Sequence, residues 1–462
     1  MISVNKKAVI WSGIDKASTF VVNFIIQLVL ARLLCPDDYA IVAMLAIFFA
    51  ISQSFIDAGL PTALIQKQDC TQKDYSSVFY FNICIGALVY ALFFWGAPFI
   101  SEYYEMPALT KVTRIYSLNL LISSFASVHR VILTKNLLFK KMAYIGLGTS
   151  VFSAIPAIVM AYWGLGYWAL ISQYLLASIL TCLFLFYQTH WRPSSVFSIK
   201  SLKEIAPFGF KIMVVHIFHA VYNNIYTMLI GKKFTPNDLG YYDRGKTLSS
   251  FGAIGFSDFY TRALFPIQAK FQDDTEKLQN TYLKSVALSC YLIMPISAFL
   301  CIYSKSVVFC LLGEQWEMAW WIISILCIGY IFYPLQAINV NMIKVKGQGN
   351  LLLSSEILKK ALGIVLALIV IRFDFKYVIY GWTATAIMEF LIGQVYCYKL
   401  GKFMFRIRDF ILPALISFTL ALITRFAIEL LTDDKYIIFF VGGISYLLSY
   451  LVVTFKKLKN LY

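Results

Sequence analysis

Four basic side chains lie inside long apolar stretches of the sequence, where a charge needs a physical reason. They are Lys16, Lys211, Arg130 and Arg262. A charge at the centre of a bilayer costs roughly 2.5–3.5 kcal/mol on insertion scales, so such residues often mark binding or transport sites. Because Lys and Arg donate charge-assisted hydrogen bonds, the four are candidates for binding an anion in a wet cavity. Snorkelling to the interface is the alternative for Lys16, Lys211 and Arg130. For Arg262 the alternative is an ion pair with Asp258, itself a candidate coupling or structural group.

Further titratable groups in the apolar stretches could carry protons or form structural pairs. Glu389 lies near the middle of its stretch, and a lysine such as Lys359 is a candidate partner. His216 and His219 share one helical face, and histidine titrates near neutral pH. The alternative for both is hydrogen bonding across helices. Asp57 lies near the inner end of its stretch and is interpreted as a capping or pairing group, with coupling as the alternative.

The sequence contains no other pattern that predicts catalytic chemistry. Its nine Cys lie mostly in apolar stretches without C-x-x-C spacing, and its four His are scattered. Neither a disulfide framework nor a metal site is therefore predicted. There is no P-loop and no Ser/His/Asp or Cys/His arrangement, so neither ATP hydrolysis nor a cofactor is expected. The net charge is +16, but the basic residues are not gathered on a soluble module, so no nucleic acid is predicted as a partner.

The elements that position these residues are predicted to be membrane-spanning helices. Hydrophobic residues make up 60% of the 462 residues and charged residues 14%. A helix needs about 20 apolar residues to cross a bilayer, and about fourteen such stretches occur, which predicts an all-α polytopic membrane protein. The predicted spans are 12–34, 39–60, 75–99, 112–134, 142–163, 166–187, 208–230, 248–271, 282–303, 319–342, 353–371, 378–400, 410–431 and 436–455.

The distribution of Lys and Arg predicts how the chain is oriented. Alternate gaps between the spans hold about 21 basic residues in one set and about 10 in the other, and the richer set faces the cytoplasm. Both termini are then predicted to be cytoplasmic. The gap at 231–247 fits poorly, since it is predicted to lie outside yet carries four basic residues.

An internal repeat relates the first and seventh spans. ARLLCPDDYAIV (31–42) aligns without gaps with GKKFTPNDLGYY (231–242), and Pro36 matches Pro236 while Asp38 matches Asp238. A chance match of two Pro-Asp turns is the alternative; a duplication predicts two six-helix lobes related by a pseudo-twofold axis. The predicted domains are an N-lobe at 1–190 (spans 1–6), a cytoplasmic amphipathic connector at 191–206, a C-lobe at 207–402 (spans 7–12) and a C-terminal helix pair at 403–462 (spans 13–14).

Six segments, in order along the chain, carry a family resemblance. They are LARLLCPDDYAIVAM (30–44), FIDAGLPTALIQKQDCTQKDYSSVFYFN (55–82), GYWAL (166–170), LGYYDRGKTL (239–248), RALFPIQAKFQDDTEKL (262–278) and LGEQW (312–316). In these segments the chain resembles the Wzx-type oligosaccharide flippases of the multidrug/oligosaccharidyl-lipid/polysaccharide exporter superfamily, and colanic-acid exporters in particular. It departs from the pattern at Cys35, where a small hydroxyl residue is usual, and at Asp243, where Asn is common.

The resemblance implies transfer of an undecaprenyl-pyrophosphate-linked oligosaccharide repeat unit from the cytoplasmic to the periplasmic leaflet. The two lobes would then surround a central cavity that opens alternately to each side, and the cations Lys16, Lys211, Arg130 and Arg262 would meet the pyrophosphate. The implied partners are this carrier lipid and the bilayer. A polymerase and a chain-length regulator remain open as further partners.

Three other functions remain as alternatives at this point. A cation-coupled small-molecule exporter of the same superfamily is disfavoured because basic residues outnumber acidic ones in the N-lobe spans. A membrane glycosyltransferase or polymerase would need a sizeable loop or domain outside the membrane, and the longest polar gap is under about 20 residues. A structural subunit without transport activity would not need so many charges inside the membrane.

Overall fold

The chain is all-helical wherever the structure, a computed structural model, describes it. The described backbone comprises residues 2–67 and 69–461 and contains no strand. Side chains are described at 11, 13, 18–57, 59–67, 69–258, 260–261, 264, 268–455 and 457. The helices are α1 (Ile2–Leu33), α2 (Pro36–Gln53), α3 (Leu60–Gln66), α4 (Gln72–Tyr104), α5 (Ala108–Tyr116), α6 (Leu118–Lys135), α7 (Phe139–Tyr162), α8 (Tyr167–Thr189), α9 (Ile199–Lys233), α10 (Pro236–Ala269), α11 (Thr275–Ile302), α12 (Ser304–Leu311), α13 (Ala319–Tyr330), α14 (Phe332–Val345), α15 (Gly349–Val370), α16 (Phe375–Gly401), α17 (Ile407–Glu429) and α18 (Lys435–Leu461). A π-helical turn (Ser54–Ala58) joins α2 to α3, and a 3₁₀ turn (Glu314–Trp316) follows α12.

Eleven helices in the described part of the chain are long and apolar enough to cross a membrane. Three further predicted spans lie on α1, α10 and α15. The described side chains of α1 form a shorter apolar segment, Ser18–Leu33, and part of the predicted span on α10 lies outside the described side chains. The charges Glu356, Lys359 and Lys360 all fall within α15. The multi-pass helical class is therefore confirmed, while the number of fourteen spans stays a prediction.

The two copies of the sequence repeat form the same local turn. α1 ends at Leu33 and α2 begins at Pro36, while α9 ends at Lys233 and α10 begins at Pro236. The offset of 200 residues is therefore kept at both helix boundaries. Whether the two six-helix lobes superpose stays a prediction.

A carboxylate caps the second helix in each copy of the repeat. The backbone N–H of Cys35 donates to Asp38 Oδ2 at 3.0 Å, and that of Thr235 donates to Asp238 Oδ2 at 3.2 Å. In the second copy the Thr235 hydroxyl also accepts from the Asp238 N–H at 3.2 Å. Such reciprocal bonds satisfy N–H groups that a helix start leaves without an intrahelical partner. Both copies of the repeat therefore form a helix start. In the first copy Cys35 occupies the position at which Thr235 supplies a hydroxyl in the second.

The first compact unit, Met1–Gly240, contains α1–α9 and the first turn of α10. Within it α1 packs on α7, α7 on α8, and α4 on α6, while α9 packs along α2, α3 and the π-helical turn. The seventh predicted span therefore packs with the N-terminal helices. The last part of the predicted connector at 191–206 is the start of α9, which runs on without a break into that span. The predicted four-part division itself stays untested.

The second compact unit, Tyr241–Tyr462, contains the rest of α10 and α11–α18. In this unit α16 packs on α13, α14 and α15, and α11 packs on α17. Its largest described hydrophobic cluster includes Tyr260, Tyr282, Met294, Leu335 and Phe403, each at most 2% exposed. α16 and α15 carry the charged residues considered below.

Candidate functional site

The π-helical turn at Ser54–Ala58 interrupts the second predicted span and is held by a side chain from α4. Asn82, buried at 1% exposure, donates to the carbonyl oxygen of Ile56 at 3.2 Å and to Ser127 Oγ at 2.8 Å. A π-helical turn shifts the hydrogen-bond pattern of the helix, and such turns occur frequently at functional sites. Asn82 therefore stabilises an irregular backbone at the depth of a predicted span.

Asp57 in this turn forms an ion pair with Arg130 of α6. Arg130 Nη1 lies 3.4 Å from Asp57 Oδ2, and the side chains are 44% and 30% exposed. Gln53, one helical turn earlier, donates to the same carboxylate oxygen at 2.5 Å. The interpretation of Asp57 as a pairing group agrees with this geometry. Arg130 is partly neutralised, but much of its guanidinium remains accessible for a further acceptor.

α9 approaches the end of the π-helical turn through two glycines. A Cβ atom on Gly209 would lie 3.0 Å from the carbonyl carbon of Gly59, a separation that only glycine permits without a shift. Lys211 follows two residues later and is exposed. Among the described side chains no carboxylate oxygen lies within 4.0 Å of the Lys211 ammonium. The first unit thus brings α9, which bears Lys211, against the turn whose Asp57 pairs with Arg130.

Four further residues that the sequence predicts as site residues lie on α9, α1 and α10. His216 and His219 are both exposed on α9. Lys16 of α1 and Arg262 of α10 lie outside the described side chains, so their roles stay predictions.

A second group of charges lies in the second unit, on α15. Lys359, whose side chain is only 6% exposed, donates to Glu356 one helical turn earlier, and Lys360 Nζ lies 3.9 Å from the other oxygen of Glu356. The sequence suggested Lys359 as a partner of Glu389, but its ion-pair partner is Glu356. The spacing i, i+3 within one helix was the signal that could have identified this pair.

Glu389 of α16 belongs to the same neighbourhood. It interacts electrostatically with Lys360 of α15. Glu389 and Asp258 also interact electrostatically with Tyr333 of α14. Asp258, from α10, is exposed. The two carboxylates that the sequence predicts as coupling or structural groups are therefore both close enough to Tyr333 to interact with it electrostatically. Within the described part of the chain, no group of three or more His, Cys, Asp or Glu side chains could hold a metal ion.

Proteins with similar sequences come from bacterial polysaccharide pathways. The chain is 27% identical over 304 residues to the teichuronic acid biosynthesis protein TuaB of Bacillus subtilis, covering 65% of this chain and 62% of TuaB, which is under two thirds of that relative. It is 24% identical to the succinoglycan biosynthesis transport protein ExoT of Rhizobium meliloti, covering 76% of this chain and 72% of ExoT. It is 22% identical to the lipopolysaccharide biosynthesis protein WzxC of Escherichia coli, covering 69% and 65%.

Solved structures with the same fold are membrane transporters. The lipid II flippase MurJ in an inward closed conformation superposes with a TM-score of 0.77 at 16% identity, covering 98% of this chain and 99% of MurJ. An outward-facing multidrug resistance transporter of the MATE family superposes with a TM-score of 0.55 at 15% identity, covering 86% of this chain and 97% of the transporter. These likenesses establish the fold alone.

The family itself is established from the sequence. Residues 29–320 match the family described as "Polysaccharide biosynthesis protein", which is more than half of the chain. The resemblance carried by the six sequence segments is thereby confirmed. This multi-pass membrane protein belongs to the polysaccharide biosynthesis protein family.

Proposed function

We propose that this protein is a flippase that moves a polyprenyl-pyrophosphate-linked oligosaccharide repeat unit across the bacterial inner membrane. The product would serve assembly of a surface polysaccharide such as O-antigen, capsule or exopolysaccharide. The observation that carries the proposal is the partly exposed Arg130 beside Asp57, with the exposed Lys211 on the helix that packs against the same turn. A pyrophosphate with a hydrophilic glycan cannot cross hydrocarbon, and cationic donors would stabilise it in a wet site.

The finer features of the proposal are those predicted from the sequence. Lys16, Lys211, Arg130 and Arg262 would line a cationic cavity between two six-helix lobes, with alternating access to each side of the membrane. Both termini would be cytoplasmic. A polymerase and a chain-length regulator would act on the delivered unit. TuaB, ExoT and WzxC, by their names, support a role in polysaccharide pathways.

Transfer between leaflets is the experiment that tests the function. Proteoliposomes containing the purified protein would receive a short fluorescent oligosaccharide on undecaprenyl pyrophosphate, and a membrane-impermeant quencher would report the leaflet that holds it. We expect the protein to accelerate transfer relative to empty liposomes and to liposomes containing an unrelated polytopic protein. Equal rates in all three would contradict the proposal.

A cation-coupled exporter of small molecules is the second candidate function. It is favoured by the carboxylates Asp258 and Glu389, both of which interact electrostatically with Tyr333 in the second unit. This function predicts proton- or sodium-driven efflux of an organic cation from the same proteoliposomes. It would replace the flippase proposal if efflux occurred and the lipid-linked oligosaccharide stayed in its leaflet.

A further inference from the structure

The segment that enters α9 is fixed rigidly to the start of α4. It comprises residues 191–206, the connector predicted from the sequence. Its residues 191–198 are not helical, yet hydrogen bonds hold them to the first two turns of α4. These bonds run from Trp191 Nε1 to Gln72 Oε1 (2.6 Å), from Gln72 Nε2 to the Arg192 carbonyl (2.7 Å), from the Ser194 N–H to Ser76 Oγ (2.9 Å) and from the Ser198 N–H to Ser77 Oγ (2.8 Å).

The helical end of the connector is docked on the protein by its inner face. Ile205 is 5% exposed and belongs to a buried cluster, against which Leu202 also packs. Glu204 accepts a hydrogen bond from Lys67 at 3.0 Å, and this bond raises the pKa of Lys67, so the ammonium stays charged. The connector therefore presents a fixed outer face.

That outer face combines apolar and basic side chains. Val196, Phe197 and Ile199 are 43%, 51% and 61% exposed. The exposed bases beside them are Arg192, Lys200 and Lys203 of the connector and Lys73 of α4. Among the described side chains none of these four pairs with a carboxylate. Bases with apolar neighbours on one surface are typical of segments that bind an anionic membrane interface.

We propose that the connector is a binding surface for anionic phospholipid headgroups. Arg192, Lys200 and Lys203 bind lipid phosphates, and Phe197 and Ile199 enter the boundary between headgroups and acyl chains. The proposed cytoplasmic orientation places this surface at the inner leaflet, which is negatively charged. Since Ile199 begins α9, bound lipid restrains the first turn of the helix that packs along α2, α3 and the π-helical turn.

Lipid-dependent stabilisation tests this surface without any transport substrate. The full-length protein in a neutral detergent would be titrated with phosphatidylglycerol or with phosphatidylcholine, and its thermal unfolding followed. We expect preferential stabilisation by phosphatidylglycerol that weakens as salt rises, because salt screens exposed charges. Each base near an anionic surface contributes about fivefold in affinity, or roughly a hundredfold for three. The triple variant R192Q/K200Q/K203Q should therefore lose the preference.

The control variant is K111Q/K305Q/K376Q, which removes three exposed lysines elsewhere. It should keep the wild-type preference for phosphatidylglycerol. Equal stabilisation of the wild type by both lipids would overturn the proposal, as would an equal loss in both triple variants. If the connector variant fails to fold, the salt dependence of the wild type tests the proposal instead. A preference for phosphatidylglycerol that 1 M salt leaves unchanged is not electrostatic and refutes the proposal. A protein that binds phosphatidylglycerol in this way but moves no lipid-linked oligosaccharide would contradict the proposed function alone.

Discussion

Substitutions in the Arg130–Asp57 pair separate a contact with an anionic substrate from a purely structural ion pair. The two charged groups are 3.4 Å apart, and the side chains are 44% and 30% exposed. Ion pairs this exposed contribute only about 0.2–1 kcal/mol, because water screens both charges. A hydrogen bond from a charged group to the substrate contributes about 1.5–3 kcal/mol, which is roughly 10- to 140-fold in affinity. If Arg130 binds the pyrophosphate, its loss must cost more than the loss of Asp57.

Two neutralising variants measure this difference. Arg130→Gln should slow the transfer of lipid-linked oligosaccharide in proteoliposomes by roughly 10- to 140-fold. Asp57→Asn keeps the shape of the side chain and leaves Arg130 free of its partner, so transfer should stay within about fivefold of wild type. Thermal unfolding of both variants should remain close to wild type. Arg425→Gln is the matched control, since Arg425 pairs with Glu429 at 2.7 Å and is 33% exposed.

The reciprocal exchange decides between the two interpretations. Asp57→Arg combined with Arg130→Asp restores an ion pair but moves the guanidinium onto the π-helical turn. A substrate contact that needs the position of Arg130 would not be restored. Recovery of transfer in this double variant, or equal losses in Arg130→Gln and Asp57→Asn, would refute the substrate contact and leave a structural pair.

Three further outcomes are expected. Asn82→Ala leaves a buried carbonyl of the π-helical turn without its donor and should cost about 1–3 kcal/mol of unfolding free energy; an unchanged unfolding temperature would contradict the role given to Asn82. Glu356→Gln leaves the Lys359 ammonium, 6% exposed, without its nearest carboxylate and should destabilise the protein by about 3–5 kcal/mol. The double variant Glu356→Gln/Lys359→Met should recover part of this loss. Equal stability of wild type and Glu356→Gln would exclude a stabilising pair. Reporter fusions should be cytoplasmic at Phe139 and periplasmic at Glu102, and the opposite result at both would reverse the orientation.

The sequence was sufficient for features that depend on local pattern. Long apolar stretches predicted where helices lie, because a bilayer requires continuous helices of a minimum length. The repeated Pro-Asp sequences predicted a shared turn at Pro36 and Pro236, whereas the helix starts there came from the structure, in which a carboxylate two residues after each proline reaches back to the preceding N–H. The family resemblance added what composition could not, namely the class of substrate that the proposed function names.

Features set by tertiary contact were not predictable in the same way. The π-helical turn falls inside an apolar stretch whose composition is compatible with an ordinary α-helix, and its stabilising donor, Asn82, comes from another helix 26 residues away. The sequence could not identify which lysine of α15 lies nearer Glu389, because Lys359 and Lys360 differ by about 100° around the helix axis. Only packing of α15 on α16 decides which ammonium faces that carboxylate.

Three helices contact the π-helical turn, and one of them carries Arg130. α4 supplies the donor for the Ile56 carbonyl, α6 supplies the guanidinium for Asp57, and α9 touches the backbone at Gly59. The close contact of α9 with the turn is between the backbones of Gly209 and Gly59. Movement of α9 along this contact would leave the bonds from Asn82 and Arg130 in place. Movement of α6 would instead pull Arg130 from Asp57 and increase the positive charge available to an anion. The positive charge that Arg130 can offer to an anion therefore depends on where α6 lies relative to the turn.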